Sequence, residues 1–132
     1  ALKNNLRVVF CIGENKKEKK NKKTFSVLKK QLSKVLEKNF NKNNIIVAYE
    51  PIWSIGTGKL PTANELKKTT IHIKKVLKNI FKKNSPAVLY GGSVDGSNVE
   101  MFKEIKEIDG FLIGGASKSS KKFIDIIKNY YR

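Results

Sequence analysis

AYEPIWSIGTGK, residues 48–59, is the segment on which the interpretation of this 132-residue chain depends. It continues an apolar run at residues 45–47 that predicts a buried strand. The strand closes on one carboxylate, that of Glu50, and Pro51 follows directly. Because Pro51 fixes its own φ and disfavours the α region at Glu50, the chain must leave the strand at a defined angle. The sequence therefore predicts an acidic side chain held at the C-terminal end of a strand.

Residues 51–61, which we call the lid, combine a rigid start with a permissive tip. Trp53 is a large aromatic residue near the start, whereas Gly56 and Gly58 near the tip tolerate conformations that other residues rarely adopt. This composition is typical of a loop that closes over a site and shuts out water. A carboxylate at the end of the preceding strand then suits a base that acts only inside a closed site.

Strand and helix signals alternate along the whole chain. Apolar runs predict strands at residues 7–12, 45–50, 86–90 and 111–113. Helix starts are expected at Thr24, at a capping box of Thr62 and Glu65, at a second box of Ser97 and Glu100, and at Ser119 or Ser120. The lysine-rich residues 15–23 are expected to form a solvated loop. The first helix is expected to run to residues 41–44 with one buried face made of Phe25, Leu28, Leu32, Val35, Leu36 and Phe40.

Continuous apolar strands predict a sheet that is covered on both faces, and this favours parallel strands joined by right-handed crossovers. The pattern alone leaves two architectures open. One is half of an eightfold barrel, and the other is a small doubly wound sheet.

Composition excludes several classes of protein. The length suits one domain with one core, and no apolar run reaches the roughly 18 residues of a spanning helix. The start, at residues 1–5, lacks the apolar segment of a secretory signal, and the single cysteine, Cys11, cannot form an internal disulfide. We expect a cytoplasmic protein without membrane contact. The only histidine, His72, has no second ligand at metal spacing, so we expect a surface residue and no metal site.

The charge balance is strongly basic. The formal charge is +17, and 28 basic residues less two arginines, Arg7 and Arg132, leaves 26 lysines. Such a balance is typical of proteins that bind nucleic acids. Those proteins favour the forked guanidinium of arginine, however, and here the lysines lie mostly between apolar positions of predicted helices and in turns. We therefore expect solvated helix faces and no nucleic-acid partner, with a positive field that attracts an anionic substrate.

Four segments together resemble motifs of the triosephosphate isomerase family, in the order and at the spacings of that family. They are AYEPIWSIGTGK at residues 48–59, CIGE at 11–14, YGGSV at 90–94 and GFLIGGAS at 110–117. The resemblance covers nearly all of the chain and decides between the two architectures. It implies an α/β fold, the (β/α)8 or TIM barrel, of which residues 1–132 form a single domain corresponding to the C-terminal half, strands five to eight. A full barrel takes about 250 residues.

The resemblance also implies an activity and a site. Glu50 corresponds to the base that moves a proton between two carbons of a phosphorylated triose, and so interconverts dihydroxyacetone phosphate and D-glyceraldehyde 3-phosphate without a cofactor or a metal. The phosphate would be bound by Gly56, Ser93, Gly114 and Gly115. Ile55 and Leu112 match apolar residues that crowd the base, Trp53 and Tyr90 support the lid, and Glu14 orients its surroundings. The intact family forms homodimers.

The chain also departs from the family pattern. Pro61, in the second hinge of the lid, has no N–H, so a hydrogen bond between Tyr90 and that amide cannot form. Lys19 stands where the family usually has arginine, so a bidentate pair would become a point contact. The lysine and asparagine of the first strand and the histidine of the fourth have no counterpart here. We therefore expect the chain alone to be inactive as an isomerase.

One alternative is a non-catalytic phosphate-binding half-barrel that needs a separate N-terminal chain. Another phosphate-binding barrel enzyme is disfavoured by the sequence Glu50-Pro51-Ile52-Trp53.

Overall fold

One parallel sheet organises the molecule. The computed structural model describes residues 1–82 and 85–132. Its strands are Val8–Ile12 (β1), Ile45–Tyr49 (β2), Ala87–Tyr90 (β3) and Gly110–Phe111 (β4). They lie in the order β1-β2-β3-β4, and each neighbouring pair is parallel. Helices connect the strands, and the arrangement is half of a (β/α)8 barrel, which confirms the predicted fold class.

Helical segments fill the connections. The α-helices are Lys16–Lys20 (α1), Thr24–Val35 (α2), Ala63–Phe81 (α3) and Ser120–Tyr131 (α4), and short 3-10 helices form at Leu2–Asn4, Lys42–Asn44, Val99–Phe102 and Gly115–Lys118. The capping box predicted at the start of α3 is confirmed, because Glu65 N–H donates to the Thr62 hydroxyl and the Glu65 carboxylate accepts from Thr62 N–H. The helices that the structure describes include none long and apolar enough to cross a membrane.

The core lies between the sheet and the helices that pack on its outer face. Its fully buried members come from α2, α3, the strands and the segment after β3, and include Leu28, Leu32, Val47, Leu66, Ile73, Leu77, Val88, Val99 and Phe102. The expectation that every strand is covered on both faces holds for β2 but is wrong for β1 and for β3, where burial alternates along the strand. On β1, Val9 is 45% exposed and Cys11 is exposed as well. One face of β1 is therefore open.

The lysine-rich segment was expected to be a loop, and this was wrong. Residues 16–20 form α1, which begins with a complete capping box. The Asn15 side chain accepts from Glu18 N–H at 2.9 Å, and the Glu18 carboxylate accepts from Asn15 N–H at 2.8 Å. These reciprocal bonds satisfy two of the amide donors that a helix start leaves unpaired.

Helix α2 is shorter than expected and ends at Val35, because Leu36 has extended backbone angles. Two members of its predicted buried face are exposed, Val35 and Phe25, the latter to 44%. The Phe25 ring instead stacks on His72 of α3, with ring centroids 4.5 Å apart and planes 9° apart. His72 is therefore half-buried by this contact rather than fully on the surface.

The second predicted capping box, at Ser97 and Glu100, is wrong. The segment after β3 contains a 3-10 helix, and its N-cap residue makes no side-chain cap bond. The cause is Asp95, whose Oδ1 accepts from both the N–H and the hydroxyl of Ser97, at 2.8 and 2.6 Å. The Ser97 hydroxyl donates to Asp95 and does not serve as the cap.

Strand β4 is also shorter than the predicted residues 111–113, since only Gly110 and Phe111 are paired as strand. Leu112 N–H still donates to the Tyr90 carbonyl at 2.9 Å, so Leu112 remains beside β3.

Candidate functional site

The C-terminal ends of β2, β3 and β4 surround a cavity of about 410 Å³. Most of the residues that the sequence analysis assigned to a site line this cavity, namely Glu50, Ile55, Gly56, Ser93, Leu112, Gly114 and Gly115. Trp53, at the start of the lid, and Tyr90, at the end of β3, do not line it. The topology explains the convergence, because the carboxyl ends of neighbouring parallel strands meet at one edge of the sheet.

Glu50 is positioned by the strands on both sides of it. Its N–H donates to the Ile12 carbonyl at 2.7 Å, which keeps the residue in register with β1. Its side chain passes so close to Gly91 that a Cβ there would lie 2.6 Å from Glu50 Cγ and 2.9 Å from Oε1. Glycine at position 91 therefore leaves space for the Glu50 side chain, which lines the cavity.

Part of the cavity wall is formed by glycines, which present backbone to the cavity. Gly114 and Gly115 are exposed, and among the residues described here no atom beyond the two adjacent residues lies within 4 Å of where a Cβ would stand on either glycine. A 3-10 helix, Gly115–Lys118, follows and leads into α4. Exposed glycine backbone near the start of a helix suits an anion, because helix starts combine N–H donors with partial positive charge.

The start of the lid is held by a buried carboxylate. Glu14, 1% exposed, accepts a hydrogen bond from the Trp53 indole N–H at 2.8 Å and another from the Tyr49 hydroxyl at 3.1 Å. Burial raises the pKa of Tyr49, and the charge of Glu14 raises it further, so the phenol stays protonated and donates. Glu14 thus orients its neighbours through hydrogen bonds.

Lys19 contacts the same indole from outside. Its Nζ lies 3.7 Å from the centroid of the Trp53 ring and 3.3 Å from Glu65 Oε1. A single ammonium group therefore joins α1 to the lid and to the first turn of α3.

Ser54 connects the lid to the strand beside it. Its side chain is fully buried, and its hydroxyl lies 3.3 Å from the Tyr90 hydroxyl and donates to the Lys59 carbonyl near the far end of the lid. Ser93 N–H donates to the same hydroxyl at 3.4 Å. Pro61 has no N–H to offer Tyr90, and here the Tyr90 hydroxyl meets Ser54 instead.

The tip of the lid makes few contacts by comparison. Ile55 is 49% exposed, and Gly56 and Gly58 both have positive φ, 65° and 71°. Such angles favour glycine. In this conformation the lid is fixed at its two ends and open above the cavity.

The Cys11 thiol lies on the open face of β1 close to Glu50. Partial burial of the sulfur, the larger cause, and the neighbouring Glu50 carboxylate together raise the pKa of Cys11 from 9.0 to about 11. The thiol is therefore neutral at ordinary pH.

Sequence reasoning did not assign roles to Ser54, Gly91, Asp95 or Lys122. Gly91 lies within the quoted YGGSV motif, but its role depends on the path of the Glu50 side chain, which the sequence does not show. Ser54 carried one usable signal, a small polar residue between two apolar residues in a hinge. No group of three or more His, Cys, Asp or Glu side chains within residues 1–82 and 85–132 could hold a metal ion.

Comparison with known proteins identifies the family. The model of the family described as triosephosphate isomerase matches residues 1–130. The triosephosphate isomerase of Yarrowia lipolytica is 42% identical over 131 residues, which cover 98% of this chain and 53% of that protein. That of Saccharomyces cerevisiae is also 42% identical, over 132 residues with the same coverage of 98% and 53%. That of Thermodesulfovibrio yellowstonii is 38% identical over 130 residues, 97% of this chain and 53% of the relative.

The chain thus spans about half the length of the curated relatives that it matches. The match nevertheless extends over nearly every residue of the chain and includes the strand ends that surround the cavity. The chain belongs to the triosephosphate isomerase family.

Proposed function

We propose that this chain provides the base and the phosphate site for the interconversion of dihydroxyacetone phosphate and D-glyceraldehyde 3-phosphate. The observation that supports the proposal is the shared cavity, which is lined by Glu50 and by the exposed glycine turn at Gly114 and Gly115. A substrate with a phosphate at one end and an acidic C–H at the other matches this pairing of groups.

In the proposed reaction Glu50 acts twice on neighbouring carbons. Its carboxylate takes the proton from the carbon next to the carbonyl, and the electron pair of the broken C–H bond forms the double bond of an enediolate. As this C=C bond forms, the carbonyl electron pair moves onto its oxygen, and that oxygen takes up the proton of the neighbouring hydroxyl group. The same carboxyl group then returns its proton to the former carbonyl carbon, and the C=O bond re-forms at the neighbouring oxygen. The phosphate, held by backbone amides at Gly56, Ser93, Gly114 and Gly115, keeps both carbons within reach of the base.

Closure of the lid completes the site in this proposal. Ile55 and Leu112 both line the cavity, and Ile55 lies on the exposed tip of the lid. When the tip moves down, these two apolar side chains exclude water from around Glu50, which makes the carboxylate a stronger base. Trp53 and Tyr90 hold the ends of the lid during this motion.

The groups that polarise the substrate oxygens belong, by the same family resemblance, to the half of the relatives that this chain does not span. We therefore expect no useful turnover by the 132-residue chain alone. The homodimer of the family stays a prediction for the same reason.

Complementation tests the proposal. The chain would be refolded together with the preceding half of the Saccharomyces cerevisiae relative, and isomerisation would be measured in a coupled assay. We expect activity in the mixture, and Glu50→Gln should lower its kcat by about a hundredfold or more, since this is the usual share of a general base. Glu37→Gln, at an exposed carboxylate away from the cavity, is the matched control and should leave kcat unchanged.

The outcomes separate the two interpretations of the chain. Equal activity of the Glu50→Gln and unsubstituted mixtures would contradict the assignment of the base. A mixture that binds inorganic phosphate but never isomerises would favour the non-catalytic phosphate-binding half-barrel.

A further inference from the structure

The first turn of α4 carries charge of the unfavourable sign. Lys121 and Lys122 occupy this turn, which contains no acidic residue. The N-terminus of a helix has partial positive charge, so cations there are normally disfavoured and anions are stabilising. Ser119 caps the helix by accepting from Lys122 N–H, which satisfies a backbone donor but adds no negative charge. A bound anion would relieve this conflict.

Of the two lysines, Lys122 alone borders the cavity that contains Glu50. It is also the only lysine or arginine among the described residues that line this cavity, whereas two carboxylates, Glu50 and Asp95, line it as well. Without a ligand the wall therefore carries two negative groups and one positive group. A cation in that setting counteracts the repulsion that Glu50 and Asp95 exert on an anionic substrate.

Asp95 is a carboxylate on which the charge of Lys122 acts. The pKa of Asp95 is lowered chiefly by the Ser97 hydroxyl, then by the amides of Ser97 and Asn98, and last by the charge of Lys122. The carboxylate already accepts at Oδ1 from Ser97 and from Asn98 N–H at 3.1 Å. Within the described part of the chain, Lys122 forms no ion pair shorter than 4.0 Å. Its ammonium group is close enough to influence Asp95 but is not held by it.

We propose that Lys122 is a substrate-binding residue whose ammonium group contacts the phosphate held at the glycine turn. The inference rests on the proposed function and deepens it, because it adds a side-chain cation to a site otherwise formed by backbone amides. The long side chain reaches the anion from the α4 side of the cavity, while Gly114 and Gly115 contact it from below. A cation at this position favours the doubly charged phosphate over a singly charged carboxylate.

Titration with inorganic phosphate tests the inference without any need for catalysis. Affinity would be measured by calorimetry on the full 132-residue chain and on the variants Lys122→Gln and Lys121→Gln. We expect Lys122→Gln to weaken phosphate binding about fivefold, the effect of one ion pair at about 4 Å in water. Lys121→Gln makes the same charge change at a residue that does not line the cavity, and should cost less than about twofold, since the attraction falls with distance and is further weakened by salt. Circular dichroism would verify that each variant is folded.

A second pair of variants separates contact with the ligand from an effect through Asp95. Asp95→Asn removes the negative charge but keeps an oxygen that can accept from Ser97. If Lys122 contacts the phosphate, the loss caused by Lys122→Gln persists in the Asp95→Asn background. If Lys122 only neutralises Asp95, the loss disappears there, and the inference is overturned.

The remaining outcomes also decide. Equal affinities of the Lys122→Gln and Lys121→Gln chains would show a general field effect and would overturn the role of Lys122 while leaving the phosphate site standing. No phosphate binding by the unsubstituted chain would overturn the site itself and Lys122 with it. Phosphate binding without isomerisation that depends on Glu50 would instead overturn the proposed function alone.

Discussion

Two neighbouring strands are each followed by a glutamate, and the two glutamates lie in opposite environments. At the end of β1, Glu14 is buried and accepts hydrogen bonds from Tyr49 and Trp53. At the end of β2, Glu50 is only partly buried and lines the cavity together with an exposed glycine turn. A carboxylate whose oxygens are occupied by neighbours is a structural acceptor, whereas one that faces open space can exchange a proton with a ligand. The environment, rather than the residue type, separates the two roles.

The largest expected effect comes from exchanging each glutamate for alanine. Glu14→Ala should lower the free energy of unfolding by about 3 kcal/mol, because it leaves the buried Tyr49 hydroxyl and the Trp53 indole without an acceptor. Glu50→Ala, at the partly exposed position, should change it by less than about 0.5 kcal/mol. Urea denaturation monitored by circular dichroism measures both. Equal losses in the two variants would erase the distinction drawn between the strand ends.

A smaller effect is expected where the lid joins this region. Ser54→Ala removes the hydroxyl shared by Tyr90, Ser93 and Lys59, and should lower the free energy of unfolding by about 1 kcal/mol. Ser26→Ala is the matched control, since that exposed hydroxyl donates only to the Lys23 carbonyl. Its loss should stay within about 0.5 kcal/mol in the same urea experiment. If Ser26→Ala lowers the free energy of unfolding as much as Ser54→Ala does, the hydrogen bonds of the buried Ser54 hydroxyl add no extra stability.

The smallest effect concerns the thiol beside Glu50. The pKa of Cys11 rises from 9.0 to about 11, first through desolvation and then through Glu50. Because Glu50 supplies part of this rise, Glu50→Gln should lower the pKa of Cys11 and increase its alkylation rate at pH 8 by roughly threefold. Iodoacetamide labelling followed by mass spectrometry gives the rate, with Glu37→Gln as the control. Identical rates would place the carboxylate too far from Cys11 to act on it.

The same thiol predicts a pH dependence of stability. The folded chain keeps Cys11 protonated up to about pH 11, whereas the unfolded chain releases the proton near pH 9.0. Between these values the folded state binds more protons, so stability decreases as pH rises through this window. Below pH 9.0 the contribution is fully present.

Much of the fold was predictable because its signals are local. Apolar runs placed all four strands to within a few residues, and the box at Thr62 marked the start of α3 correctly. The capping box predicted at Ser97 does not form although its sequence is equally suitable, because the Ser97 hydroxyl donates to Asp95 instead. The box at Asn15 was overlooked in a lysine-rich segment that resembled solvated loop.

The site was predictable to a different extent. The four motifs pointed to Glu50 and to the glycines that line the cavity, since their order and spacing along the chain match those of the family. The roles inferred for Ser54 and Lys122 depend on which elements approach each other in space. Ser54 matters because β3 brings the Tyr90 hydroxyl to it, and Lys122 because α4 starts at the cavity wall. Neither of these spatial contacts can be predicted from the residues next to Ser54 or Lys122 in the sequence.

The contact between Lys19 and Trp53 has a practical consequence. The chain contains one tryptophan, and its indole lies between an ammonium group on its face and a buried carboxylate at its N–H. Any displacement of the hinge changes the electric field across that ring and therefore the colour and yield of its emission. The fluorescence of Trp53 therefore reports the position of the lid hinge, and stopped-flow measurements can follow hinge movement without an added dye.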